Sequence, residues 1–565
     1  MKIFKKILIY LFIIFISLVF ISCSFKDDNV QEQIPNDNEN NQINEEEPNT
    51  EDPKQDPSEE NPSESLVDFH FNFDNKNIIA SDAFKSFDLT YDKNGYIKYQ
   101  NKVLDCINNK KGIQALNEAY DEFTNYYSDI NDKSAILEVL YYANRKEVGN
   151  ACTDLYEYSL LIDTTISKLD QAIAKSEYAK DFFTGYTDEE IEALANTDVD
   201  DELNKLLLKK KELNNNYVDA KTIDEKERIL KEYVLNNKKI AIAQGYEENE
   251  YVKYSDSFDY VRLYDEEVVD SFISNVKEQL MDLIFDMYDL DLSPENNAQY
   301  KQFMKYQNGA FLEQQALFDD FVNTVGGTFK EAYNNLFDGG YYLFSNDPNV
   351  QATAFQNNTD NINLVFFGGE YRDLSTFAHE FGHYHATYLH NDQYSYDFCE
   401  TQSQASEILL RLYLSEKYDN EATLNYEMNL VYELLCTILD GIMIREYEEM
   451  IYTQNVESFQ ELWLTLNDEE YDDWGYDDWF DIFIDYDNYY ISYATSALAS
   501  LIVYAYGKEN GFEEASKLYL DLVSYDGYGD ISEAFKSVNL VDPLSAEATV
   551  YIKEVIEKVI NDYVQ

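Results

Sequence analysis

The sequence predicts a mainly α-helical fold, a large helical body with one small β-sheet, and three observations lead there. Long segments repeat apolar residues at helical spacing. Only Pro294, Pro348 and Pro543 fall beyond residue 65, and proline is the residue that breaks helix interiors. One stretch, between Gly326 and Gly369, carries strand-like apolar runs bounded by glycines. The chain has 565 residues, 45% of them hydrophobic and 15% aromatic, enough to bury a large core.

In chain order, the first element is a targeting segment. Lys2, Lys5 and Lys6 form a basic head, and the apolar run from Ile7 to Ile21, interrupted only by Ser17, ends at Ser22-Cys23. The run is short for a membrane-spanning helix and has the three-part order of a secretory signal. A cysteine directly after a small residue at the end of such a run resembles a bacterial lipoprotein box. That resemblance implies a signal peptide over residues 1–23, a lipid on the Cys23 thiol, and an extracytoplasmic body anchored to the bacterial cell membrane. The other reading is an uncleaved signal anchor, which exports the body equally.

Residues 24–65 read as a disordered acidic linker. From residue 26 they hold five of the eight prolines and fourteen acids against two lysines, with only Val30, Ile34 and Ile43 as aliphatics. Such a stretch buries too little apolar surface to offset the entropy of ordering. The folded body is expected over residues 66–565. Helical periodicity marks Ile113–Tyr127, Asp132–Val148, Asp154–Lys175, Ile223–Ala243, Glu266–Tyr288 and Ala546–Tyr563. Strand-like runs are Tyr341–Phe344 and Ile362–Phe367. No internal repeat appears at a solenoid period.

Charge and composition exclude several functions. With 109 Asp plus Glu against 43 Lys plus Arg, the net charge of -66 repels a phosphate backbone, so nucleic acid is no partner. Five cysteines over this length cannot make a disulfide-dense scaffold. Residues 465–493 are crowded with acids and aromatics and read as a solvated acidic surface. Asp485-Tyr486-Asp487-Asn488 lacks the glycine and terminal Glu of an EF-hand calcium loop.

The histidines are few but concentrated: His379, His383, His385 and His390 are four of the five in the chain. In Phe377-Ala378-His379-Glu380-Phe381-Gly382-His383, two histidines one helical turn apart share a face and can bind one metal ion. Glu380, rotated by about 100°, falls beside the metal, where a general base is needed. Two neutral imidazoles with open positions favour Zn²⁺ over Mg²⁺ or Ca²⁺. His385 and His390 read as supporting or surface residues. Glu400 is the candidate third ligand, on a second helix that continues through Ile408, Leu409 and Leu412. A loop around residues 389–396 lets the two helices run antiparallel. Glu407, two turns beyond Glu400, reads either as a hydrogen-bond partner of a ligand histidine or as an exposed carboxylate. Cys399 points about 100° away from Glu400 and reads as a buried structural thiol.

These residues resemble the thimet oligopeptidase and oligoendopeptidase F group of zinc peptidases. That group pairs His-Glu-Phe/Leu-Gly-His with a later Phe-x-Glu-x-x-Ser-Gln/Thr helix, which Phe398-Cys399-Glu400-Thr401-Gln402-Ser403-Gln404 fits. Ile240–Tyr246, Phe366-Phe367-Gly368-Gly369, Tyr493-Ala494-Thr495-Ser496-Ala497 and Val541-Asp542-Pro543 extend the resemblance on both sides. It implies a helical body split by a deep channel that admits short unfolded peptides. It further implies one Zn²⁺ on His379, His383 and Glu400, with Glu380 as general base and Tyr486 or Tyr489 as oxyanion donor.

Two features depart from the family. The interval between His383 and Glu400 is short, and no histidine follows His390, whereas the family supplies one before Tyr-Ala-Thr. Phe483 stands near that place. Tyr486, Tyr489 and Tyr493 are the counterparts of the family's tyrosines. The alternative function is therefore a surface lipoprotein that keeps the zinc site and captures peptides with weak or no cleavage. A structural lipoprotein with an accidental motif is the third reading.

Overall fold

Helices carry most of the chain, as the scarcity of proline predicts. The computed structural model describes residues 65–74, 78–196, 201–257, 262–288, 311–345, 353–358, 363–368, 374–390, 395–418, 421–454, 456–466, 476–485, 487–525 and 529–564. The expected signal peptide, Cys23, most of the linker and Tyr486 lie outside the described residues. Among the described residues, no helix is long and apolar enough to cross a membrane.

Among the described residues, three apolar cores organise the body. In the first, the helices Ile113–Ala143 and Arg145–Ala174 pack through Phe123, Leu140, Ile162 and Leu169. The sequence pattern placed a helix across Asp132–Val148. The chain instead breaks at Asn144, whose side chain accepts from the Glu147 amide and caps the next helix. In the second core, the helices Asp201–Asp219 and Ile223–Ala243 meet the helices Glu421–Thr453, Phe459–Leu466 and Tyr476–Asp485 through Tyr233, Tyr447, Trp463 and Phe483. The Ile223–Ala243 helix has the expected bounds because Thr222 caps its start. The third and largest core includes the helices Phe311–Val325, Leu374–Leu389, Tyr396–Tyr418, Tyr490–Asn510 and Ala546–Val564.

The strand-like stretch between Gly326 and Gly369 is helix in its first part, Gly327–Gly339, because its apolar residues Phe329, Ala332, Tyr333 and Leu336 recur at helical spacing. Beyond it lie three strands of a four-stranded sheet. With β1 (Leu66–Val67), β2 (Ile78–Ala80), β3 (Tyr91–Asp92), β4 (Tyr342–Ser345), β5 (Thr353–Asn358) and β6 (Asn363–Gly368), the order is β2-β4-β6-β5, and β1 pairs separately with β3. β2 and β5 lie antiparallel to their neighbours, and β4 and β6 are parallel, with Leu343 opposite Phe366. The Ser81 hydroxyl, just after β2, donates to the Gly340 carbonyl just before β4 (2.7 Å). The sheet packs on the Leu374–Leu389 helix through β5 and β6.

The first core also hides two carboxylates that sequence periodicity did not reveal. Asp163 and Asp170 share a face of the Arg145–Ala174 helix, and both are buried. Asp170 accepts from the Tyr120 hydroxyl (2.7 Å), and Asp163 faces Tyr127. Burial pushes Asp170 up to about 7 and Asp163 well above the ordinary carboxylate range. Both hold a proton in the fold at mildly acidic pH and lose it on unfolding. Their contribution is therefore full below the unfolded pKa of about 4 and is lost as pH rises through the folded value. Thermal melts should accordingly show a higher Tm near about pH 5.5 than near about pH 8.5. Asp170→Asn should flatten that slope, and an unchanged slope would refute the assignment.

Candidate metal centre

The site is built on one helix-helix contact. Phe377 and Phe381 lie on the core face of the Leu374–Leu389 helix, with ring centroids 4.9 Å from Phe318 and 4.8 Å from Phe329 respectively. That fixes the rotation of the helix and turns His379 and His383 to the other side. The Tyr396–Tyr418 helix packs against that side. The neighbours Gly382/Ser403, His379/Glu407 and Ser375/Arg411 run in opposite chain directions, so the helices are antiparallel, as expected from the short connection. Gly382 makes the approach possible: a Cβ there would sit 2.7 Å from Ser403 Cα and 2.9 Å from the Gln402 carbonyl oxygen.

Three donor atoms converge. The His379 Nε2 and His383 Nε2 atoms lie 3.4 and 3.7 Å from Glu400 Oε2, and the three ligand atoms are all within 4.8 Å of one another. Donors bound to one tetrahedral zinc at about 2.1 Å lie about 3.4 Å apart, so the spacing fits such an ion. All three residues are buried, and so is Glu380 on the same helix. Burial pushes His383 down to about 4, which leaves a neutral imidazole with a lone pair to offer at neutral pH. Burial opposes the charge of Glu400, but His383, His379 and the Tyr489 hydroxyl outweigh it and hold its pKa below the ordinary value. Two imidazoles and one carboxylate make a donor set suited to Zn²⁺.

Supporting contacts orient these donors. Glu407 is the partner of a ligand histidine, with Oε1 2.8 Å from His379 Nδ1, while its Oε2 accepts from the Ser375 hydroxyl at 2.9 Å. A proton held on Nδ1 leaves Nε2 free to coordinate. The buried Arg411 donates to the same Ser375 hydroxyl (3.1 Å), a link that no local pattern marks. The Ser403 hydroxyl lies 2.8 Å from the Glu400 carbonyl oxygen and 3.2 Å from Glu400 Oε2, with one proton for the two.

Other candidates fall elsewhere. His385, two residues beyond His383, is a core histidine: it is buried 3.0 Å from the Thr328 hydroxyl, and burial pushes it down to about 3. It supports no ligand. His390 sits at the end of the helix, half-buried. The Cys399 thiol is pushed up to about 12 by burial and by the nearby Glu400 and Asp397, which disfavours its thiolate. Phe483 fills the second core against Tyr233 and Tyr447. Tyr489, expected as an oxyanion donor, is buried with its hydroxyl donating to Glu400 Oε1. Tyr493, partly exposed, has its ring 5.0 Å from that of Tyr489.

No sequence family model matches the chain, and no curated protein matches it by sequence. Solved structures do match. One assigned to oligoendopeptidase F from Bacillus anthracis str. Ames aligns with a TM-score of 0.60 at 15% identity, over 86% of this chain and 99% of that one. PZ peptidase A with an inhibitor aligns with a TM-score of 0.60 at 14% identity, over 85% and 99%. A further oligoendopeptidase F structure reaches 0.64 at 15% identity, over 85% and 100%. The chain thus has the mainly helical fold of oligoendopeptidase F.

Glu407→Ala should weaken zinc binding by about 10–100-fold, measured by competition with a chelating dye, while the fold persists. Gly382→Ala should lower stability by about 1–3 kcal/mol in denaturant titration and weaken zinc as the helices part.

Proposed function

We propose that this protein is a zinc-dependent endopeptidase that hydrolyses short unfolded peptides. The observation that carries the reading is the buried convergence of His379 Nε2, His383 Nε2 and Glu400 Oε2 beside Glu380. The fold shared with oligoendopeptidase F supports it, and so does the resemblance of the motifs. By that resemblance the helical body is split by a deep channel in which an extended peptide lies.

His379, His383 and Glu400 would hold one Zn²⁺, which when bound supplies a Lewis acid for the scissile carbonyl. Glu380 takes the proton of the attacking water and returns it to the leaving amine. Tyr486 donates to the oxyanion, a hydrogen bond that strengthens as charge develops. Tyr489 instead holds Glu400. Outside the catalytic body, the Ser22-Cys23 junction supports an extracytoplasmic protein tethered to the bacterial membrane by lipid on Cys23, with residues 24–65 as spacer.

One observation favours a second reading, peptide capture with weak or no cleavage. The family's downstream histidine is missing, and Phe483, near its place, faces a hydrophobic core. Incubating the body from residue 65 with a mixed peptide pool separates the two. For the peptidase, cleavage stops with chelator and returns with zinc. Glu380→Gln should lower kcat by about 10²–10⁴-fold without releasing the metal. Stoichiometric zinc and peptide binding with no cleavage products would establish the capture protein instead.

A further inference from the structure

We infer that Asn488 is a positioning residue for the metal ligand Glu400, acting through Tyr489; the inference rests on the metal reading above. Asn488 lies in the turn between the helices Tyr476–Asp485 and Tyr490–Asn510, with φ at 58°. Asparagine tolerates this left-handed conformation better than most side chains. Each of its four polar groups is engaged. Its amide donates to Glu448 Oε1 at 2.7 Å, and its carbonyl accepts from Arg262 Nη2 at 2.8 Å. Its side-chain oxygen accepts from Arg445 Nη1 at 2.6 Å, and its side-chain nitrogen donates to Asp256 Oδ1 at 2.8 Å.

These partners are themselves fixed. The side chains of Arg262 and Arg445 are 0% exposed, and both pair with Asp256. Arg445 grips both Asp256 oxygens. Breaking a buried charge network is costly, so the turn has one conformation rather than several. Backbone caps alone would hold a turn; here the side chain is clamped as well, which fixes the direction in which the chain leaves toward the next residue.

That residue is Tyr489, whose hydroxyl binds Glu400 Oε1 and leaves Oε2 facing both histidines. A carboxylate held at one oxygen has less freedom to turn the other out of line. Asn488 thereby sets the ligand from a network that touches neither the metal nor a histidine.

The test combines two readouts on the full chain: zinc affinity by dye competition, and the carbon-13 resonance of labelled tyrosine Cζ, assigned to Tyr489 by its loss in Tyr489→Phe. Asn488→Gly, which keeps the left-handed backbone, should shift or broaden that resonance and weaken zinc by about tenfold. Tyr489→Phe should weaken zinc similarly, and the double variant no further than either single one. Should the glycine variant not fold, Asn488→Asp, which keeps the acceptor for Arg445 but loses the donor to Asp256, takes its place with the same expectation. An unmoved Tyr489 resonance overturns the inference. So does a zinc loss from Asn488→Gly that is as large in the Tyr489→Phe background as in the wild type. Failure of the wild type to bind zinc sinks the metal reading and the ligand role with it. The resonance would still report whether Asn488 holds the ring, so the two failures are distinguishable.

Discussion

The close approach of the Leu374–Leu389 and Tyr396–Tyr418 helices is the constraint on which the site depends. Packed helices usually keep their axes about 8–10 Å apart, with side chains filling the gap. At Gly382 there is no side chain, and the Ser403 backbone moves into its space. Glu400 lies one turn from Ser403, so this contact sets the distance from its carboxylate to the histidines. The histidine pair would face one way on any helix of this sequence. Only the contact brings in a third donor, and it is the anionic one.

Such a contact places groups where water cannot help them. A buried carboxylate with no donor is costly, and Glu400 receives the Tyr489 hydroxyl. His379 is likewise held by Glu407, which Ser375 steadies in turn. Farther back, Arg262 and Arg445 share Asp256, and Arg445 also pairs with Glu449, around the turn that delivers Tyr489. The polar interior is therefore layered, and each layer fixes the orientation of the one nearer the donors.

What was legible in the sequence follows from the range of the interactions. The helix bearing His379 and His383 was legible because its apolar period and its ligand spacing are both local. Glu400 was legible because a short connection forces its helix back along the first. Glu407 stood open between two roles, since both place it on the same face and only the packed partner decides. The contact between Tyr489 and Glu400 was not legible: nothing near Tyr489 in sequence marks Glu400 as its acceptor, and the pairing spans 89 residues. Arg262 and Asp256 meet Asn488 across more than two hundred residues, beyond the reach of any periodicity. The strand β5 was missed because Thr353-Ala354-Phe355-Gln356-Asn357-Asn358 lacks an apolar alternation. A neighbouring strand, not its own composition, makes it extended.

The pairing of β2 with β4 has a consequence for how the chain is made. Residues 78–80 leave the ribosome long before residues 342–345, and the Ser81–Gly340 bond joins positions 259 apart. Until then β2 has no partner strand in its own sheet. The helices of the first core are made of contacts close in sequence and can assemble early. The sheet that packs on the Leu374–Leu389 helix closes only when the later half of the chain arrives.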